Sequence, residues 1–163
     1  MGPISAKVVI DVPREAVFGI LMDLSARPAF TDHFMEDFHL LRMEPVGVGA
    51  GARFQLPDAG WVDSIIEEAD APHRLVERGR GGYLNRIPNV TEWLLSDAGP
   101  DGCEVQVTFW TEPARTVDRL RDAKASERRL GKGLKKALER LRGVAESGAP
   151  PERIVVAGGD RLQ

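Results

Sequence analysis

Four carboxylates, Asp63, Glu67, Glu77 and Glu92, fall in stretches whose apolar residues alternate with the two-residue period of a β-strand. Alternation sends some strand side chains into the interior, where burial makes a carboxyl hold its proton more tightly than in water. Such a group can act as acid or base, and Glu92 and Asp63 are the two candidates for that role. A solvated convex sheet face is the simpler account of all four. The remaining chemistry-bearing residues form no set. His33, His39 and His73 lie on three different elements, and none has the i, i+4 partner of a helical zinc site. The serines lack the strand–turn–helix setting of a nucleophile elbow. Gly47, Gly49 and Gly51 lack the G-x-G-x-x-G spacing. The run Ala52–Leu56 after them reads as a strand, not as the helix whose N-terminus would hold phosphate, so this is a β-turn. Cys103, the one cysteine, excludes an intramolecular disulfide and reads as a small buried hydrophobe within a strand. The residues therefore point to no catalytic group, no metal and no cofactor.

Binding is better served than catalysis. Val105, Val107, Phe109 and Thr111 share one strand face, and Ile87, Thr91, Trp93 and Leu95 share another. With these faces concave, Trp93, Val107 and Phe109 join Phe30, Phe34, Phe54, Trp61 and Leu120 in an apolar wall. Thr91, Tyr83 and Arg80 are its polar contacts, with Trp61 and Tyr83 towards the rims. A wall of this kind suits a small-molecule pocket; the plain alternative is that the rings simply fill the core. Arg78, Arg80 and Arg86 flank the turn Gly79–Tyr83, where a guanidinium suits a ligand carboxylate or phosphate, or is an ordinary loop charge.

Those faces need elements to position them. Ile4–Val12 alternates as a half-buried strand. Pro13 fits a first helical position, and Val17, Ile20, Leu21 and Leu24 follow at helical spacing. A second short helix is expected from Ser25 to Met35, broken or begun near Pro28. From Asp37 to Thr111 the period is two, which predicts strands at Phe38–Met43, Ala52–Leu56, Trp61–Glu68, Arg74–Arg78, Asn85–Ser96 and Cys103–Thr111. Short Gly-, Pro- and Asp-rich turns separate them, so neighbours in sequence are antiparallel neighbours in space. Thr116–Glu146 is the longest element, with Leu130, Leu134, Ala137, Leu138 and Leu141 on one face; Gly148 and Pro150–Pro151 stop it. It is the one amphipathic element large enough to cover the sheet. The expected fold is α+β: a curved seven-stranded antiparallel sheet wrapped around a long C-terminal helix, with two short helices after strand 1.

Between Leu120 and Leu130 that helix offers only small or polar side chains, Ala123, Lys124, Ala125, Ser126 and Glu127. Interiors tolerate few voids, so the space opposite is expected to hold ligand or water. The cavity is placed under Leu120–Glu127, with Leu134–Leu141 as its solid end. From Arg115 to Glu146 there are eleven Lys or Arg against five Asp or Glu. That is a solvated face, or else a transient contact for an anionic membrane or an acidic partner. No aromatic interrupts it to stack on bases, so nucleic acid is not expected.

The size of the chain, 163 residues, suits a single domain at 1–146 with a tail at 147–163, and folding it buries roughly 70% of the unfolded surface. The net charge of −3 gives no drive towards nucleic acid. No signal peptide and no apolar run of membrane-spanning length is read, which points to a cytoplasmic protein.

The opening strand leading into Asp11–Phe18 with Asp23 after the helix, the stretch Pro45–Gly49, the stretch Asp70–Val76 and the closing helix resemble the SRPBCC superfamily. This group includes START-like lipid carriers and polyketide cyclase/dehydrase proteins. The resemblance spans about residues 4–146. It implies a helix-grip fold with a cavity between helix and sheet, and binding or transport of a small hydrophobic ligand, lipid-like or polyketide-like. The alternatives are a polyketide cyclase, aromatase or dehydratase using the same cavity, and an interaction module acting through the basic helix. The family has no universal catalytic residue to carry over, and a fold alone does not supply a function.

Overall fold

A computed structural model describes residues 2–57, 59–112 and 124–155, of which Tyr83 and 124–126 by backbone alone. The strands are β1 (Ile4–Ile10), β2 (Glu36–Leu40), β3 (Gly51–Leu56), β4 (Gly60–Asp70), β5 (Arg74–Gly81), β6 (Ile87–Asp97) and β7 (Cys103–Thr111). They form one antiparallel sheet in the order β1-β7-β6-β5-β4-β3-β2. The links from β3 to β7 are three to five residues long, that from β2 to β3 is ten, and β1 adds to the far edge beside β7. The turn before β3 has Gly47 at φ +88° and Gly49 at φ +92°, and Ala50 N–H donates to Gly47 O at 3.0 Å. Only glycine enters that backbone region freely.

The helical segments cross from the β1 edge to the β2 edge. Helix α1 spans Arg14–Met22, a 3₁₀ turn follows at Leu24–Ala26, and α2 is a single turn at Pro28–Thr31. The expected second helix thus begins afresh at Pro28, after the 3₁₀ turn. Asp23 caps the 3₁₀ turn through the Ser25 amide at 3.0 Å, and Pro28 starts a fresh helix because it has no amide hydrogen to continue the first. Helix α3, Lys124–Glu146, is the long C-terminal helix; the predicted start at Thr116 lies outside the described residues. Its Leu134, Ala137, Leu138 and Leu141 are buried, and Lys132, Lys135 and Lys136 face solvent.

Alternation sorts the sheet into two faces. Ala52, Phe54, Val62, Ser64, Ile66, Leu75, Glu77, Asn89, Trp93, Val105 and Val107 point to the covered face and are buried. The opposite face carries ion pairs: Arg53–Asp63, Arg74–Glu68, Arg74–Glu92, Arg78–Glu67 and Lys7–Glu104. Curvature is helped by a register shift between β4 and β5 at Ile66–Glu68. Gly79 permits a close approach there, since a Cβ on it would lie 1.7 Å from Asp63 O.

Helix α3 closes on the same face. A Cβ on Gly133 would meet the Phe34 ring at 2.8 Å, so the missing side chain lets helix and ring touch. The described part of the tail, up to residue 155, returns to the helical side. Ile154 N–H donates to Ser25 O at 3.0 Å, and Arg153 Nε donates to Asp23 Oδ2 at 2.8 Å. Val156, the end of the apolar run there, lies outside the described residues.

Candidate ligand-binding site

At the centre of the covered face an arginine meets a carboxylate. Arg27, at the junction of the 3₁₀ turn and α2, donates from Nη2 to Glu77 Oε1 on β5 at 2.7 Å and to Leu21 O at 3.1 Å. Glu77 also accepts from Trp93 Nε1 at 2.9 Å and from Ser64 Oγ at 2.8 Å. The two charged side chains are 3% and 5% exposed. Removing such a pair from water costs several kcal/mol per ion, and these added donors are what offsets it. The guanidinium carbon stands 5.0 Å from the Trp93 ring centroid and 5.6 Å from that of Phe30, two cation–π contacts. Arg27 Nε is buried and has no hydrogen-bond partner among the described residues.

Next to this pair lies a cavity between sheet and helix. Phe34, Met35 and Phe38 line one side and Leu130, Leu134 and Ala137 of α3 another. Phe54, Asn89, Thr91, Trp93 and Phe109 rise from the sheet. Phe38 and Phe54 stack at 5.7 Å with planes 5° apart. The cavity measures about 30 Å³, against roughly 10–15 Å³ for one water by the same measure. It mixes aromatic rings with a few polar groups.

The structure brings five of the sequence-derived wall residues together: Phe34, Phe54, Thr91, Trp93 and Phe109. Phe30 is buried, packed against Arg27. Val107 is buried in register with Trp93 and Ala6 and does not line the cavity. Trp61 is 40% exposed and sits edge-on to His39 at 5.6 Å, on the outer face. Arg80 is exposed, one strand step out of phase with Glu77, so it faces away from the cavity. The Tyr83 side chain and Leu120 lie outside the described residues. So do Leu120–Ala123 and the side chains of 124–126, under which the cavity is expected from the sequence. At the other end that expectation changes: Leu134 and Ala137, assigned to solid packing, line the cavity, and Leu138 and Leu141 are the filled part.

The inward carboxylate also differs from expectation. Asp63 accepts from Arg53 Nε at 2.6 Å and Asn85 Nδ2 at 2.7 Å, and Glu92 accepts from Arg74 Nε at 2.7 Å, all on the outer face. The Arg53 hydrogen bond holds the Asp63 carboxyl below its ordinary range, the opposite of a burial-raised acid. Glu77 is the one turned inward. Its strand begins with adjacent apolar residues, Leu75 and Val76, both buried, so the sequence pattern does not state which parity faces the core. A readable signal was Arg27, the single charge in the apolar run from Leu24 to Thr31. The lining residues Met35, Phe38 and Asn89 were not anticipated.

Among the described residues no three His, Cys, Asp or Glu side chains come together to hold a metal. Burial pushes the Cys103 thiol up, as for an inert core cysteine.

A curled antiparallel sheet closed by a C-terminal helix over a cavity defines the helix-grip class. The family model for polyketide cyclase / dehydrase and lipid transport matches residues 1–146, and the chain belongs to that family. No curated protein matches it. Among solved structures, the KanY protein in solution is similar at 20% identity and TM-score 0.70, covering 90% of this chain and 99% of that one. A START superfamily protein from Mycobacterium smegmatis is similar at 14% identity and TM-score 0.66, covering 90% and 99%. Norcoclaurine synthase from Thalictrum flavum, in complex with dopamine and hydroxybenzaldehyde, is similar at 12% identity and TM-score 0.67, covering 91% and 88%. At these identities the likeness is one of fold. No helix among the described residues is long and apolar enough to cross a membrane.

Proposed function

We propose that the protein binds and carries a small apolar molecule in the cavity between the sheet and α3. The observation that carries this reading is the ring-lined cavity beside a buried ion pair whose carboxylate takes its three donors from the protein itself. At about 30 Å³ the cavity holds water and no more. A ligand therefore enters by spreading Phe34, Met35 and Phe38 from Leu130 and Leu134, all side chains at the cavity wall. Carriage is favoured over cyclisation or dehydration because Glu77 has three donors on its two oxygens, while Asp63 and Glu92 are ion-paired on the far face. No described inward carboxylate is left to shuttle a proton. Location in the cytoplasm belongs to the same reading, with the basic outer face of α3 as a solvated surface.

Native mass spectrometry of freshly purified full-length protein tests it. A bound small molecule, released on denaturation, is the expected result. A bare mass, together with failure to bind any apolar fluorescent probe, contradicts it.

A further inference from the structure

The hydrogen-bonding capacity of the cavity wall narrows what its ligand is, on the reading that the cavity binds one. Two wall residues on β6, Asn89 and Thr91, are two apart and so point the same way. Asn89 is only 4% exposed, and neither side chain has a hydrogen-bond partner among the described residues. Buried amides are bonded as a rule, so a lone one aimed into a cavity marks a group awaiting a partner. The charged groups of the wall stand differently. Arg27 and Glu77 neutralise one another at 2.7 Å, and the remaining Glu77 contacts are taken by Ser64 and Trp93. A ligand carboxylate entering here faces the Glu77 charge, and the described cation of the wall is already paired. A ligand ammonium meets Arg27 in the same way. Either ion loses its hydration for no compensating charge. Apart from the Arg27 Nε–H, which belongs to a guanidinium whose charge Glu77 already balances, what the wall offers freely is an amide and a hydroxyl, both neutral and both able to donate or accept.

We propose that the ligand is an uncharged oxygenated molecule whose hydroxyl or keto oxygen bonds to the Asn89 amide and the Thr91 hydroxyl. A fatty-acid-like anion and an amine are both disfavoured by the same wall. The apolar remainder of the ligand lies among Phe34, Phe54 and Phe109.

Three probes of one shape test this on the full chain at neutral pH: naphthalene, 2-naphthol and 2-naphthoate, titrated by calorimetry or tryptophan fluorescence. One well-made hydrogen bond is worth about a tenfold change in affinity. The expected order is 2-naphthol tighter than naphthalene by about that factor, with 2-naphthoate weakest. In Asn89→Leu the ratio of 2-naphthol to naphthalene affinity falls towards one; Thr91→Val reads the same ratio should Asn89→Leu fail to fold. Binding of 2-naphthoate as tight as 2-naphthol, or a ratio unaffected by both substitutions, overturns the proposal and leaves the cavity as a binding site. Failure of all three probes to bind overturns the cavity reading with it.

Discussion

Arg27 Nη2 and Glu77 Oε1 lie 2.7 Å apart beneath the long helix, fifty residues apart in sequence and shut off from water. The contact joins the helical turn before α2 to the centre of the sheet. The Trp93 indole and the Ser64 hydroxyl bind the same carboxylate, so three strands and one helical turn meet at Glu77. A chain that needed only a core would place apolar residues here, because a buried pair is seldom more stabilising than its hydrophobic replacement. Its presence on the floor of the cavity sets the position of Trp93, a wall residue.

Breaking the pair from one side leaves a buried charge without its partner. Arg27→Met alone or Glu77→Leu alone should cost about 3–5 kcal/mol, a large share of the usual stability of a domain this size. The double substitution should cost clearly less than the sum of the two, with a coupling above about 1 kcal/mol. Urea denaturation of the three variants measures this. Additive costs would mean the two side chains act separately.

Two glycines of α3 should respond oppositely to alanine. A Cβ added at Gly143 would meet nothing within 4 Å among the described residues, so Gly143→Ala should stabilise by about 0.4–1 kcal/mol through helix propensity and a less flexible unfolded chain. A Cβ at Gly133 meets the Phe34 ring at 2.8 Å, and overpacking of that kind costs about 1–3 kcal/mol. Gly133→Ala should therefore lower the denaturation midpoint while Gly143→Ala raises it. A rise in both would show that Phe34 is free to move aside.

His33 should make stability depend on pH in mildly acid solution. Its Nε2 lies 3.1 Å from Gly133 O and its Nδ1 3.2 Å from Arg140 Nη1, so with Nε2–H donating, Nδ1 is the acceptor. Burial is the main cause that holds its pKa below the ordinary 6.5, with the Arg140 and Lys136 charges adding to it and the Gly133 carbonyl opposing. The folded chain thus takes up this proton less readily than the unfolded one. Its stabilisation is complete above pH 6.5 and is lost as pH falls through the lower folded value. Asp32 and Asp63, held below 3.8 chiefly by hydrogen bonds from Arg140 and Arg53, contribute their loss only in stronger acid. Denaturation midpoints between pH 7.5 and 5 should fall in the wild type and fall less in His33→Gln. Equal slopes would assign the effect to other groups.

Most of the architecture was legible because it rests on local periodicity. The alternation of Cys103–Thr111 and the helical face of Leu134, Ala137, Leu138 and Leu141 each state which side is buried, and the turns between strands are too short for anything but antiparallel neighbours. The aromatic wall was legible where alternation was clean, at Thr91, Trp93 and Phe109. It failed at Trp61, whose strand carries both Val62 and Ile65–Ile66 and so reads in either phase; the outer phase holds Trp61 against His39. It failed again at Glu77 for the same reason. The Arg27–Glu77 pair is a long-range contact between a helical turn and a strand, and no local pattern encodes which arginine finds which carboxylate. Asn89 escaped notice because its meaning depends on an unmet hydrogen bond, which only the folded arrangement reveals.

The central claim is that the space between α3 and the sheet accepts an apolar molecule. Amide and side-chain chemical shifts of the isotope-labelled full chain, followed by NMR during titration with 2-naphthol, test it most directly. The account predicts saturable shifts that are largest at Asn89, Thr91, Trp93, Phe109 and Leu134, with little change at Trp61 and Arg80 on the outer face. Shifts absent from that set, or concentrated on the outer face, would contradict it.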